Sequence, residues 1–259
     1  MRYVRSFADH PTDPAVHQPE FLAHLESCSV IKGGIPAGTQ ADPLHYHPVD
    51  QFYYVLEGTI EVQLGTERLR AEPHTLVRIP ARTPHFAANP GTDHVLQVEL
   101  LLPTHVPATG GRMTKLVEYC DDLGGPPPTG CLRPVATDGW LRPLPEVGVE
   151  MQVLANRATG SDKGMVAVSR TEVDATVPPY HSHEFDELIF VLAGTLAVDI
   201  GSERRKVRPH ELVIMPARVP HRAWNEGPEP EQHLTIITPE PDSQNPADWL
   251  TEVDFSARR

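Results

Sequence analysis

The chain has little with which to make covalent cross-links. Its 259 residues include three cysteines, Cys28, Cys120 and Cys131. An odd number at irregular spacing is no disulfide framework, and without a CxxC pair there is no cysteine zinc site. Positive charge is scarce as well: 22 Lys and Arg stand against 35 Asp and Glu, a formal charge of −13. So acidic a surface suits neither nucleic-acid phosphates nor an anionic membrane. No stretch approaches 18 consecutive apolar residues, and the first twenty hold no run long enough for a signal peptide. The expectation is a reduced, soluble, cytoplasmic protein with no nucleic-acid or membrane partner.

Turn formers are plentiful. With 28 Pro and 18 Gly, many short elements joined by turns are favoured over long helices. Histidine is plentiful too, at 14 residues. The chain also repeats itself. Residues 45–89 align with residues 181–225 at a constant offset of 136, without a gap, and 22 of 45 positions are identical. Unrelated segments would agree at about 3 positions, so the repeat marks a duplicated structural unit. The domains expected are 1–108 with an N-terminal extension, a Pro/Gly-rich segment over 109–148, and 149–259 with a C-terminal tail.

Each copy reads as β-structure. Thr59 to Leu64 alternates with period two, as do Leu196, Val198 and Ile200. Phe52–Leu56 and Leu188–Leu192 are continuous apolar runs, stopped by turns at Gly58 and Gly194. Ser27–Ile35 and Met165–Glu172 read as leading strands. Between the copies, Met113, Leu116, Val117, Cys120 and Leu123 fall at helical spacing and predict one short amphipathic helix.

His45 and His47, like His181 and His183, are two apart, which places both imidazoles on one face of a strand. Four residues further stand Gln51 and Glu187, on the same face if the chain stays extended. His85 and His221 follow 34 residues later, from strands that the intervening hairpin can bring alongside. Three imidazoles and an oxygen donor form a site for a divalent first-row metal. Gln51 is the departure that matters. Its amide oxygen is neutral, so the N-terminal site leaves the metal's charge uncompensated, where Glu187 cancels one unit. The same parity turns Tyr53 and Val55, and Ile189 and Val191, toward the two cavities; Tyr53, Ile189 and Val191 are the expected pocket residues, and the C-terminal pocket is the drier one.

On these motifs the sequence resembles the cupin superfamily, specifically two-domain bicupins. HSHEFDELIFVLAG carries the first cupin motif through His181, His183, Glu187 and Gly194. Pro216, His221 and Asn225 carry the second, as do Pro80, His85 and Asn89 in the first copy. The family's glycines are replaced at Thr39, Ala175, His74, His210, Arg82 and Arg218. Those positions read as turn residues, the arginines as surface or inter-strand ion pairs.

The resemblance implies an all-β chain of two tandem jelly-roll barrels with minor helical segments. It implies one divalent transition metal (iron, manganese, nickel, copper or zinc) on His181, His183, Glu187 and His221. His45, His47, Gln51 and His85 form a second candidate site. It further implies a metal-dependent dioxygenase acting on a small enol or aromatic metabolite, with Glu187 as both ligand and catalytic base. The alternatives are a non-redox isomerase, lyase, cyclase or aminohydrolase, and a ligand-binding cupin without turnover. A monomer or homodimer is expected, since paired barrels within one chain would satisfy much of the surface through which single cupins dimerise.

Overall fold

The computed structural model describes residues 3–9, 13, 15–17, 19–104, 118–144, 148–242 and 250–253. The protein divides into two compact units, His10–Val135 and Met1–Asp9 together with Ala136–Arg259. The described residues are almost wholly strand and turn, with 3-10 turns at Phe7–Asp9 and Arg157–Thr159. No helix among them is long and apolar enough to cross a membrane. None of the three cysteines is in a disulfide.

The first unit is built from two sheets. Six strands run in the order Leu132–Pro134, Thr75–Ile79, Asp50–Glu57, Val95–Leu102, Ser29–Ile35 and Glu20–His24. Five run in the order Glu118–Tyr119, His45–Tyr46, His85–Ala88, Ile60–Leu64 and Glu67–Ala71. Period-two alternation explains the core. Tyr53, Val55, Val77 and Ile79 of the larger sheet meet Ile60, Val62, Leu64 and Ala87 of the smaller in one buried cluster. The expected helix is not seen where it can be followed. Met113, Leu116 and Val117 lie outside the described residues, and Glu118–Tyr119 is a strand paired with Tyr46 and His45. Propensity at that point yields to an open sheet edge that needs a partner.

The second unit repeats the plan. Its larger sheet runs Val4–Ser6, Glu211–Met215, Asp186–Ala193, Glu231–Thr238, Met165–Thr171, Val149–Ala155 and Leu141–Leu144. The smaller runs Glu203–Val207, Leu196–Ile200, His221–Asn225, His181–Ser182 and Thr251–Glu252. Ile189, Val191, Val213 and Met215 pack against Leu196, Val198, Ile200 and Val207. Two chain ends close edges here. Val4–Ser6 pairs with Glu211–Val213 in antiparallel register, and Thr251–Glu252 pairs with His181–Ser182. Trp249 and Phe255 of the C-terminal tail lie outside the described residues.

The turns explain the replaced glycines. His74, Arg82, His210 and Arg218 all adopt left-handed backbone, with φ between 61° and 64°. A left-handed conformation costs a non-glycine residue about 1–2 kcal/mol. Each main-chain N–H is used in return: Arg82 N donates to His47 O and Arg218 N to His183 O, both at 2.7 Å, while His74 N and His210 N donate to Val55 O and Val191 O. Arg218 also pairs with Glu184 through its exposed guanidinium, at 2.7 Å from Nε. Arg82 is exposed.

Two predictions follow from edge closure and burial. Phe7 is 5% exposed and packs on Phe190 at a ring-centroid distance of 5.0 Å. Phe7→Ala is expected to lower the unfolding free energy by about 3 kcal/mol; an unchanged urea midpoint would mean that the Phe7–Phe190 contact contributes nothing to this barrel. Asp199, buried in the smaller sheet, accepts from Arg204 at 2.7 Å, and from Arg222 and Tyr180 at 2.9 Å each. Arg204 above all, then Arg222 and Tyr180, outweigh burial and hold the carboxyl well below its ordinary value of 3.8. A depressed folded value means stability that is present above 3.8 and lost as the pH falls through the folded value. Asp199→Asn should therefore be about 2 kcal/mol less stable at neutral pH. The gap from the wild type should close as unfolding is followed into the acid range.

Candidate metal centres

In the first barrel the two motifs meet by strand pairing. His45 is the register partner of His85 in the smaller sheet. His47 lies just beyond that strand, with its carbonyl tied to Arg82 N. The ligand nitrogens of these three buried histidines lie within 4.8 Å of one another.

Gln51 reaches them differently from the sequence expectation. The strand His45–Tyr46 is only two residues long, and after a bend the chain enters the larger sheet at Asp50. Gln51 therefore faces the histidines from the opposite sheet, and no continuous extended face carries all three positions. The turn is held by Asp50, whose Oδ1 accepts from Ala81 N at 2.8 Å; Asp186 and Ala217 N repeat the contact at 2.9 Å.

The protons of the rings are set by main-chain carbonyls. His45 Nδ1 lies 2.7 Å from Pro43 O and His85 Nδ1 lies 2.8 Å from Thr83 O. A carbonyl only accepts, so Nδ1 carries the hydrogen and the neutral ring keeps its lone pair on Nε2. Burial, then the neighbouring His45, pushes the His85 imidazole well below its ordinary range, so it is neutral. Yet Gln51 Oε1 lies 2.8 Å from His85 Nε2. Two lone-pair atoms facing each other, with two more imidazoles beside them, are an arrangement that a cation satisfies.

The second barrel repeats the device. His181 Nδ1 lies 3.1 Å from Pro179 O, His183 Nδ1 lies 2.7 Å from Phe185 O, and His221 Nδ1 lies 2.8 Å from Val219 O. Glu187 Oε2 is 3.2 Å from His183 Nε2 and 3.6 Å from His221 Nε2. His221 Nε2 is buried and has no hydrogen-bond partner among the described residues. Burial pushes the Glu187 carboxyl up, but His183 and His221 outweigh it and hold the group well below the usual range. His183, Glu187 and His221 form a donor group within 4.8 Å, without His181. The His181 ring stands beside them, its centroid 4.6 Å from that of His221. The expected pocket residues lie in the barrel interiors: Tyr53 in the first, Ile189 and Val191 in the second.

The sequence reading missed a buried carboxylate. Glu99 lies on Val95–Leu102, directly opposite Tyr53. Its Oε2 accepts from Gln51 Nε2 at 3.4 Å and its Oε1 from Gln97 Nε2 at 2.9 Å. Burial pushes its carboxyl above the ordinary value, and burial, then Glu99, does the same to the Tyr53 hydroxyl. The signal was present: Gln97 and Glu99 interrupt an apolar run at inward parity. His17 was also passed over. Burial lowers its imidazole, but Asp42 at 3.4 Å and Gly34 O at 2.8 Å outweigh this and raise it to about 9.

A cupin domain model matches residues 33–100 and 168–237, more than half of the chain and one match in each barrel. This chain belongs to the cupin family. No curated protein matches it. Among solved structures this cupin resembles a variant of oxalate decarboxylase from Bacillus subtilis, with TM-score 0.66 and 14% identity over 92% of this chain and 77% of that one. It resembles salicylate 1,2-dioxygenase from Pseudaminobacter salicylatoxidans, with TM-score 0.64 and 15% identity over 88% and 85%. A third is a cupin 2 conserved barrel domain protein from Leptotrichia buccalis, with TM-score 0.60 and 12% identity over 92% and 96%. At such identities the likeness is one of fold.

The donor sets lead to a measurable expectation. His85→Ala and His221→Ala should each remove one equivalent of bound Mn(II) from the reconstituted cupin, by elemental analysis. Saturation at a hundred times the dissociation constant should stabilise each barrel of the wild type by about 2.7 kcal/mol per occupied site, read as a thermal shift that EDTA reverses.

Proposed function

We propose that this cupin is a metal-dependent dioxygenase acting on a small enol or aromatic metabolite at its C-terminal centre. The observation that carries the reading is the pairing there, with His183 and His221, of a carboxylate donor, Glu187, on the strand that also carries the buried Ile189 and Val191. His181, beside them, completes the set of three imidazoles and one carboxylate. When bound, the divalent ion supplies Lewis acidity and redox chemistry toward O2. Glu187, the one carboxylate of the donor group, accepts the proton of the substrate's enol or phenol hydroxyl. The Nδ1 contacts to Pro179, Phe185 and Val219 keep the imidazoles oriented throughout. Ile189 and Val191, at the same strand parity as Glu187, give this interior the apolar character that suits an apolar or aromatic substrate.

The second reading is Lewis-acid chemistry without redox change, by an isomerase, lyase, cyclase or aminohydrolase. The observation in its favour is the N-terminal centre, where neutral Gln51 leaves the ion's charge uncompensated and Tyr53 adds a hydroxyl to the wall. The shared fold admits both readings, since it houses proteins named as a decarboxylase and as a dioxygenase.

O2 uptake separates the two. Protein purified without oxygen and loaded in turn with iron, manganese, copper or nickel is assayed against a panel of enols and catechols. Uptake is expected with at least one pair, to fall at least a hundredfold in Glu187→Ala, and to survive in Gln51→Ala. No uptake with any metal would favour the non-redox reading. Activity retained in Glu187→Ala but lost in Gln51→Ala would put the chemistry in the N-terminal barrel.

A further inference from the structure

The two barrels differ in where they keep a carboxylate. At the position facing the imidazoles, the second copy has Glu187 and the first has Gln51. On the strand behind, the assignment reverses. The first copy has Glu99, and the second has Thr235, whose Oγ1 lies 2.9 Å from Ser169 Oγ. The neighbouring strand has changed in step. Ser169 corresponds to Gly33, where a Cβ would run into Glu99 Oε1 and would also crowd the Gln97 side chain. Glycine at 33 leaves room for the Glu99 carboxylate, which is 7% exposed.

Glu99 also decides which end of the Gln51 amide meets the histidines. A carboxylate only accepts hydrogen bonds, so it draws the amide nitrogen, and the amide oxygen then points to His85 Nε2. We propose that Glu99 is the positioning residue of the N-terminal metal centre. It holds Gln51 with its oxygen toward the ion, from a carboxyl set one layer behind the position where the other barrel has Glu187. Gln97 and Gly33 hold Glu99 in turn. The N-terminal centre is thus a working site with a displaced carboxylate. The inference rests on the metal reading of that centre and is independent of the oxygenase chemistry.

The test uses the full chain carrying His183→Ala and His221→Ala, so that only the N-terminal centre binds. Mn(II) is titrated into metal-free protein by calorimetry, with the Mn(II) paramagnetic resonance spectrum recorded at saturation. Glu99→Gln replaces an acceptor by an amide that can donate to Gln51, so the Gln51 amide is free to turn its nitrogen to the histidines. Mn(II) affinity should fall 10- to 100-fold, with an altered spectrum. Adding Gln51→Glu to that variant should restore affinity to within about threefold of the parent, because a carboxylate presents oxygen in either orientation. A merely structural role for Glu99 would not be rescued in this way. Where Glu99→Gln alone does not fold, Gln51→Glu is compared with the double variant, and equal affinities are expected. Parent-like affinity in Glu99→Gln, or no rescue by Gln51→Glu, would overturn the proposal. A parent that binds no Mn(II) would overturn the N-terminal metal reading with it. O2 uptake by Gln51→Ala protein with its C-terminal centre intact tests the oxygenase reading separately.

Discussion

Both centres depend on main-chain carbonyls that take the Nδ1 protons of the histidines. Pro43 and Thr83 in the first barrel, and Pro179, Phe185 and Val219 in the second, are the acceptors. Each carbonyl fixes both the tautomer and the angle of a ring, so the Nε2 lone pairs converge without flexible side chains having to find one another. Two of these carbonyls, those of Thr83 and Val219, belong to the turn that leads into each second-motif histidine. Its left-handed arginine gives its N–H to His47 or His183, and the alanine before it gives its N–H to Asp50 or Asp186. Local strain in one residue is thereby exchanged for the alignment of two motifs that are 34 residues apart in the chain.

Duplication preserved this framework while the chemistry inside diverged. The framework contacts recur in both copies at nearly the same distances, and Asn89 and Asn225 likewise cap the carbonyls of Ile35 and Thr171, at 2.9 and 3.1 Å. The interior positions changed as sets. Gln51, Tyr53, Gln97 and Glu99 became Glu187, Ile189, His233 and Thr235. The second barrel also buries a His233–Glu231 pair, at 2.8 Å. One interior is polar behind its histidine triad and the other apolar beside its donor group, so two equivalent scaffolds enclose different interiors.

Much of this was legible in the chain because a strand has a period of two and a repeat has a fixed offset. The alternation at Ile60–Leu64 and the register of Tyr53 and Val55 need only neighbouring residues, and the structure keeps that parity through an unbroken pairing of Gln51–Tyr54 with Leu76–Ile79. Spacing could not tell that Gln51 and Glu187 approach from the sheet opposite the histidines. That depends on a bend at residues 48–49, where the chain leaves one sheet for the other. Periodicity also misread the stretch at Glu118–Tyr119, because an exposed edge beside His45 outweighed helical spacing.

The sequence by itself determined that there are two equivalent β-barrels, which residues could ligate a metal, and that one set has an amide where the other has a carboxylate. Those follow from local periodicity and from comparing the chain with itself. Only the tertiary structure decided that the first strand, Val4–Ser6, completes the second barrel's sheet, and that Glu99 stands behind Gln51. The reason is the same in both cases. A partner across a sheet is set by which edges remain open and which side chains share an interior, and residues 48 apart, or more than 200 apart, leave no mark of that in local spacing.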